Sequence, residues 1–184
     1  MIELQHKPGL FEPPKDTTAI VIPCSAEVGA NATMHQGFAL QAAKKWPTLA
    51  RNVGVLFLGV GKIAHSVTRP YITHDCPEGY IGMPQGGGLP GLPMAFHVIA
   101  LPIRAWDAAP IEDDMLIRSI RSLTDLCAGK RDQIWWLTEG NIVMPQLNDT
   151  TSNPKRKWSH FKDLIEPWLK DDRYVVLENK GTPT

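Results

Sequence analysis

The sequence has no charge imbalance: 19 lysines and arginines offset 19 aspartates and glutamates, leaving a net charge of zero over 184 residues. No global field therefore draws it toward nucleic acid or an anionic membrane, and any anionic ligand has to be held by local geometry. Cysteine is scarce as well. Cys24, Cys76 and Cys127 are odd in number and widely spaced, which argues against a disulfide framework and points to a reducing compartment, with the cytosol as the expected home. Long apolar runs are absent, so no membrane span is expected, and the stretch Met1 to Lys7 lacks the apolar core of a signal peptide. There is no internal repeat and no evident linker. The expectation is a single domain over residues 1–184, long enough to bury a core without a structural metal or a cofactor.

What is present is a series of short β-branched or apolar runs: Ala19 to Ile22, Val53 to Leu58, Phe96 to Leu101, Ile134 to Leu137, Asn141 to Met144 and Tyr174 to Leu177. Each is bounded by turn formers, which predicts strands buried on both faces. Helical patterns lie between them. Phe38 to Trp46 has Leu40, Ala43 and Trp46 at helical spacing and stops at Pro47, so its Leu40 and Ala43 side is expected to dock on the sheet. Pro110 to Leu126 opens on proline and carries Glu112, Asp113 and Asp114 where the helix dipole favours negative charge. Trp158 to Leu169 collects Trp158, Phe161, Ile165, Trp168 and Leu169 on one face, with Pro167 expected to shorten its end. Alternation of this kind predicts an α/β sheet. Residues 61 to 91, rich in glycine and proline, read as a long surface loop.

In such sheets ligands collect at the carboxyl ends of strands, where loops present backbone amides and helix N-termini to anions. Two loops suit that role. One runs from Pro23 to Gly37 and includes Ser25, Gly29, His35 and Gln36, and the other runs from Met144 to Trp158 and includes Asn148, Asp149 and Thr150. A small polar loop between strand and helix is ordinary in itself, and so is the basic run Lys155-Arg156-Lys157 beside it. His74 and Cys76 have no second ligand pair at metal spacing, so no metal is expected. Trp135 and Trp136 read as core rather than as base-stacking residues.

The order of elements adds weight. Met34 to Pro47, with a glycine opening a helix followed by Gly-x-Ala-x-x-x-x-x-Lys and an aromatic-proline stop, resembles the signature of macro domains. His97 to Trp106 resembles the strand of that family that ends in proline with a basic residue and a tryptophan. Asn141 to Leu147, then Trp158-Ser159 and Leu164-Ile165-Glu166, resembles its strand, phosphate loop and closing helix. The match leans toward the branch of antitoxin macro domains that remove ADP-ribose from DNA and the related glutamate-directed hydrolases. The resemblance implies a three-layer α/β/α fold with a central mixed sheet. It also implies a cleft for ADP-ribose or a related nucleotide, free or attached to DNA or protein.

Departures from the pattern shape the expected activity. Lys7-Pro8-Gly9 leads to Leu10 where the family carries an acidic or amide group for adenine, Ser25 takes the place of an asparagine, and His35 that of a glycine. Asn148-Asp149-Thr150 stands for the Gly-x-Gly of the phosphate loop, where glycine would let the backbone approach a diphosphate. Arg104 stands at the catalytic lysine of the DNA-directed branch, and a guanidinium forms no Schiff base. The resemblance thus assigns ligand contacts to Ser25, Gly29, His35, Gln36, Gly37, Arg104, Trp106, Asn148, Asp149 and Thr150, with Asp149 or Asp107 as a candidate base. Binding with little catalysis is the first expectation. ADP-ribosyl hydrolysis of DNA or protein is the second, and a decayed cleft serving as a protein-interaction module is the third.

Overall fold

The computed structural model describes residues 1–4, 11, 14, 16–66, 97–128 and 140–178. The predicted strand Ile134 to Leu137, the tryptophan pair 135–136, His74, Cys76, Leu10 and most of the 61–91 loop lie outside the described residues.

Six strands form one sheet in the order β1-β6-β5-β2-β4-β3. They are β1 (Ile2–Leu4), β2 (Thr17–Ser25), β3 (His65–Ser66), β4 (His97–Arg104), β5 (Asn141–Pro145) and β6 (Tyr174–Leu177). Every pairing is parallel except β3 with β4, so the sheet is mixed. The helices are α1 (Gly37–Lys45), α2 (Leu49–Gly59), α3 (Asp113–Cys127) and α4 (Trp158–Ile165).

Strand residues alternate between two cores, as the period of two requires. Ala19, Val21, Ile99, Leu101, Ile142 and Met144 face α3 and α4, whose Leu116, Ile120, Leu123, Phe161 and Ile165 complete that layer. Ile20, Ile22, Val98, Ala100 and Val143 face the opposite way, onto Ala39, Ala42, Leu49, Val53 and Phe57 of α1 and α2. Burying a side chain of this size contributes about 1.5–3 kcal/mol, and residues such as Leu116, Ile120, Leu123 and Phe161 are wholly enclosed. Helices on both faces of a mixed sheet make the three-layer α/β/α architecture that the resemblance implies. Among the described residues, no helix is long and apolar enough to cross a membrane.

The run Val53 to Leu58 is a correction: it is the second half of α2, not a strand. Its buried residues Leu49, Val53, Leu56 and Phe57 recur at helical spacing while Leu58 is 70% exposed. A six-residue apolar window cannot separate a strand from a helix, and the arginine and asparagine preceding it belong to the same helix. In α1 the buried positions are Ala39 and Ala42 rather than Leu40 and Ala43, which are partly exposed. Two alanines let the helix lie close to the sheet, and Trp46 closes its end with 2% exposure. α3 begins at Asp113, three residues beyond Pro110, with Asp113 and Asp114 in its first turn. α4 ends at Ile165, short of Pro167 as expected, and Trp168 stacks on Arg121 with the guanidinium carbon 4.0 Å from the ring centre. Strands β1 and β3 have two or three residues, too few for a periodic signal.

Candidate functional site

Because β2, β4 and β5 are parallel neighbours, their following loops open at one edge of the sheet. The β2–α1 loop, the β4–α3 loop and the β5–α4 loop therefore lie side by side, with the β4–α3 segment bonded to the other two. On one side the Ala26 amide donates to the Arg104 carbonyl at 2.7 Å and the His35 amide to Asp107 Oδ2 at 2.8 Å. On the other, the Ile111 amide donates to Asp149 Oδ2 at 2.9 Å and the Thr151 hydroxyl to the Ala109 carbonyl at 3.2 Å. The two candidate loops share this edge.

The β2–α1 loop folds back on itself through an antiparallel bridge of Val28 with Ala32. The Ala32 amide reaches across to the Ala50 carbonyl of α2 at 2.9 Å. Gly54 makes that approach possible, since a Cβ there would stand 2.8 Å from the Ala32 nitrogen. Sequence reasoning passed over Gly54, although a glycine inside a helical pattern signals a close backbone contact. Ser25 is buried at the end of β2, and its hydroxyl donates to the Thr33 carbonyl at 3.0 Å. His35, Gln36, Gly37 and Gly29 are exposed. Gln36 caps α1 without any side-chain hydrogen bond, no acidic residue occupies the first turn, and Gly37 takes a φ of 54°. An N-terminus of this kind keeps its dipole and its first amides available for an anion.

Arg104 ends β4. Its guanidinium is partly buried and, among the described residues, makes a single long hydrogen bond, 3.4 Å from Nη1 to the Asp107 carbonyl. Desolvation lowers its pKa while the charges of Asp149 and Asp107 raise it, which places both carboxylates within its field. Trp106, two residues on, is 55% exposed. Asp107 is engaged through its own amide as well, which donates to Glu27 Oε2 at 3.4 Å.

Asn148 is exposed, and its Oδ1 accepts the first amide of α4, Trp158 N, at 3.2 Å. Thr150 is exposed too. Asp149 points inward, with its side chain wholly buried. It accepts five hydrogen bonds: from the amides of Ile111, Thr151 and Ser152, from the Thr151 hydroxyl at 2.6 Å, and from Arg156 Nη2 at 3.2 Å. Burial pushes its carboxyl up, but these donors more than offset it and hold the group well below the usual carboxylate range. A carboxylate so fully satisfied is a weak proton acceptor. Arg156, read in the sequence only as part of a basic run, is the hub of this loop. It also binds Asp113 Oδ1 at 2.5 Å and the Ile111 carbonyl.

No protein-family model and no curated protein matches the sequence. Solved structures do. The macrodomain of Mycobacterium tuberculosis DarG superposes with a TM-score of 0.62 at 15% identity, over 100% of this chain and 99% of that one. The macrodomain of Thermus aquaticus DarG gives 0.60 at 15% identity, over 96% and 95%. Identity at this level speaks for architecture rather than chemistry. On layer order, sheet topology and superposition over nearly the whole chain, the protein has the macro-domain fold, of the kind found in the DarG macrodomains.

Proposed function

We propose that the protein binds ADP-ribose, an ADP-ribosyl group or a nucleotide derived from it, at the shared edge of β2, β4 and β5, with little catalysis. The observation that carries this reading is the position of Arg104, a partly buried guanidinium with one long hydrogen bond among the described residues. It stands at a loop edge that also presents the uncapped N-terminus of α1. Two positive groups with so few partners among the described residues favour an anion in one place, and the macro-domain fold makes an ADP-ribosyl phosphate the natural candidate. In this reading Trp106 offers a face for a ring, and His35 and Gln36 border the phosphate. Turnover is expected to be poor because Arg104 cannot serve as a nucleophile and Asp149 is saturated with donors.

Calorimetric titration with ADP-ribose tests the proposal. Saturable one-to-one binding is expected, and Arg104→Ala should weaken it by about 1–3 kcal/mol, the usual loss for a hydrogen bond to a charged group. No heat of binding in the wild type would sink the reading. Rapid release of ADP-ribose from a modified oligonucleotide or peptide would replace it with the hydrolase.

A further inference from the structure

The side chain of Asp149 sits where a bound anion would. Its carboxylate is out of contact with solvent and is surrounded by donors from separate segments. Ile111 of the β4–α3 loop, 38 residues away, gives a backbone amide at 2.9 Å. The loop of Asp149 itself gives the Thr151 amide at 3.0 Å, the Thr151 hydroxyl at 2.6 Å and the Ser152 amide at 3.3 Å. Arg156 adds a guanidinium nitrogen at 3.2 Å. An Asx turn would account for Thr151 and Ser152 alone. It does not account for the amide of a distant loop or for a guanidinium whose Nε is buried with no partner among the described residues. Convergent backbone amides, a hydroxyl and an arginine make the donor set by which proteins hold phosphate and carboxylate.

We propose that this donor set is an anion cradle closed by the protein's own carboxylate, so that Asp149 acts as a built-in ligand. The cradle admits no phosphate while Asp149 fills it. The donors that face Asp149 consequently offer no grip on a ligand phosphate, which is left to the Arg104 side of the edge and to the exposed Asn148 and Thr150. Removing the carboxylate leaves the same amides and Arg156 facing a space of positive potential. That statement about ligand selectivity rests on the nucleotide-binding reading above, whereas the cradle itself does not.

Inorganic phosphate is the probe, with thermal unfolding followed in phosphate and in chloride at equal ionic strength. The wild type is expected to show only the modest gain that phosphate gives by exclusion from the protein surface and by contact with the Arg104 side of the edge, a gain the variants share. Asp149→Gly is expected to gain roughly 3–6 °C more than the wild type in phosphate at about ten times its dissociation constant, and Asp149→Gly combined with Arg156→Gln to lose that extra gain. Asp149→Ser, which keeps a hydroxyl and still leaves room, serves as the second variant where the glycine chain is too unstable. A phosphate response in the wild type equal to that of the variants overturns the proposal, as does the absence of any response in both. Failure of both variants to recover a cooperative transition in phosphate also overturns it, because a cradle that accepts an anion is refilled by one. The two readings separate cleanly. Wild type silent toward ADP-ribose with a phosphate gain in Asp149→Gly removes the proposed function and keeps the cradle, and the reverse pattern does the opposite.

Discussion

At the scale of single residues, the same aspartate sets the acid stability of the site. Its folded carboxyl holds protons less tightly than an unfolded one, because the donors from Thr151, Ile111 and Arg156 outweigh its burial. A depressed carboxyl contributes stability that is fully present above the unfolded value near 4 and is lost as pH falls below it. Asp149→Asn should therefore destabilise the protein by about 1–3 kcal/mol at pH 7. The gap to the wild type should narrow as pH is lowered from about 5 toward 2. Urea melts at several pH values measure this. A gap that stays constant over that range would mean that the charge of Asp149 contributes nothing.

At the scale of elements, the β2–α1 loop owes its shape to α2, a helix that comes after it in the chain and is separated from it by α1. The backbone at Asn31 and Ala32 rests on Gly54 in the middle of α2, with less room than a methyl needs. In an isolated helix Gly54→Ala would gain about 1 kcal/mol. Here overpacking against backbone should reverse the sign and cost about 1–3 kcal/mol. The displaced loop should also weaken ADP-ribose binding, while Arg118→Ala on the exposed face of α3 should leave affinity unchanged. Increased stability with unaltered affinity in Gly54→Ala would show that α2 does not position the loop. A tighter constraint of the same type holds at Gly140, where φ is 76° and a Cβ would stand 2.4 Å from Thr18 Cγ2 and 2.8 Å from the Asp16 carbonyl, so no side chain fits before β5.

At the scale of the whole molecule, the two described cysteines report on both layers at once. Cys24 packs with α1 and α2 on one face of the sheet and Cys127 with α3 on the other. Burial pushes each thiol up to about 12, so neither presents thiolate to solvent near neutral pH. In a Cys76→Ser background, both should resist a thiol-reactive disulfide reagent at pH 8 and react only under denaturing conditions. Labelling of one of them at low denaturant would reveal that its layer opens on its own rather than with the global transition.

The two-faced strands and most of the helix stops were legible in the chain itself. Alternation of short apolar runs with helical periods required a two-faced sheet, and Pro47 and Pro167 bounded their helices, while α3 starts three residues beyond the Pro110 at which the pattern opened it. The sequence also placed Ser25, Arg104 and the Asn148–Thr150 loop at strand ends, since strand and loop follow each other in the chain. What it left open was every outcome that depends on contact across distance. Val53 to Leu58 became helix because the partners of its apolar side lie on other strands, and no local window contains them. Asp149 turned inward because an amide 38 residues away and Arg156 were there to receive it. A composition-based reading sees an aspartate in a polar loop, but only the folded chain assembles the donors that make burying its charge favourable.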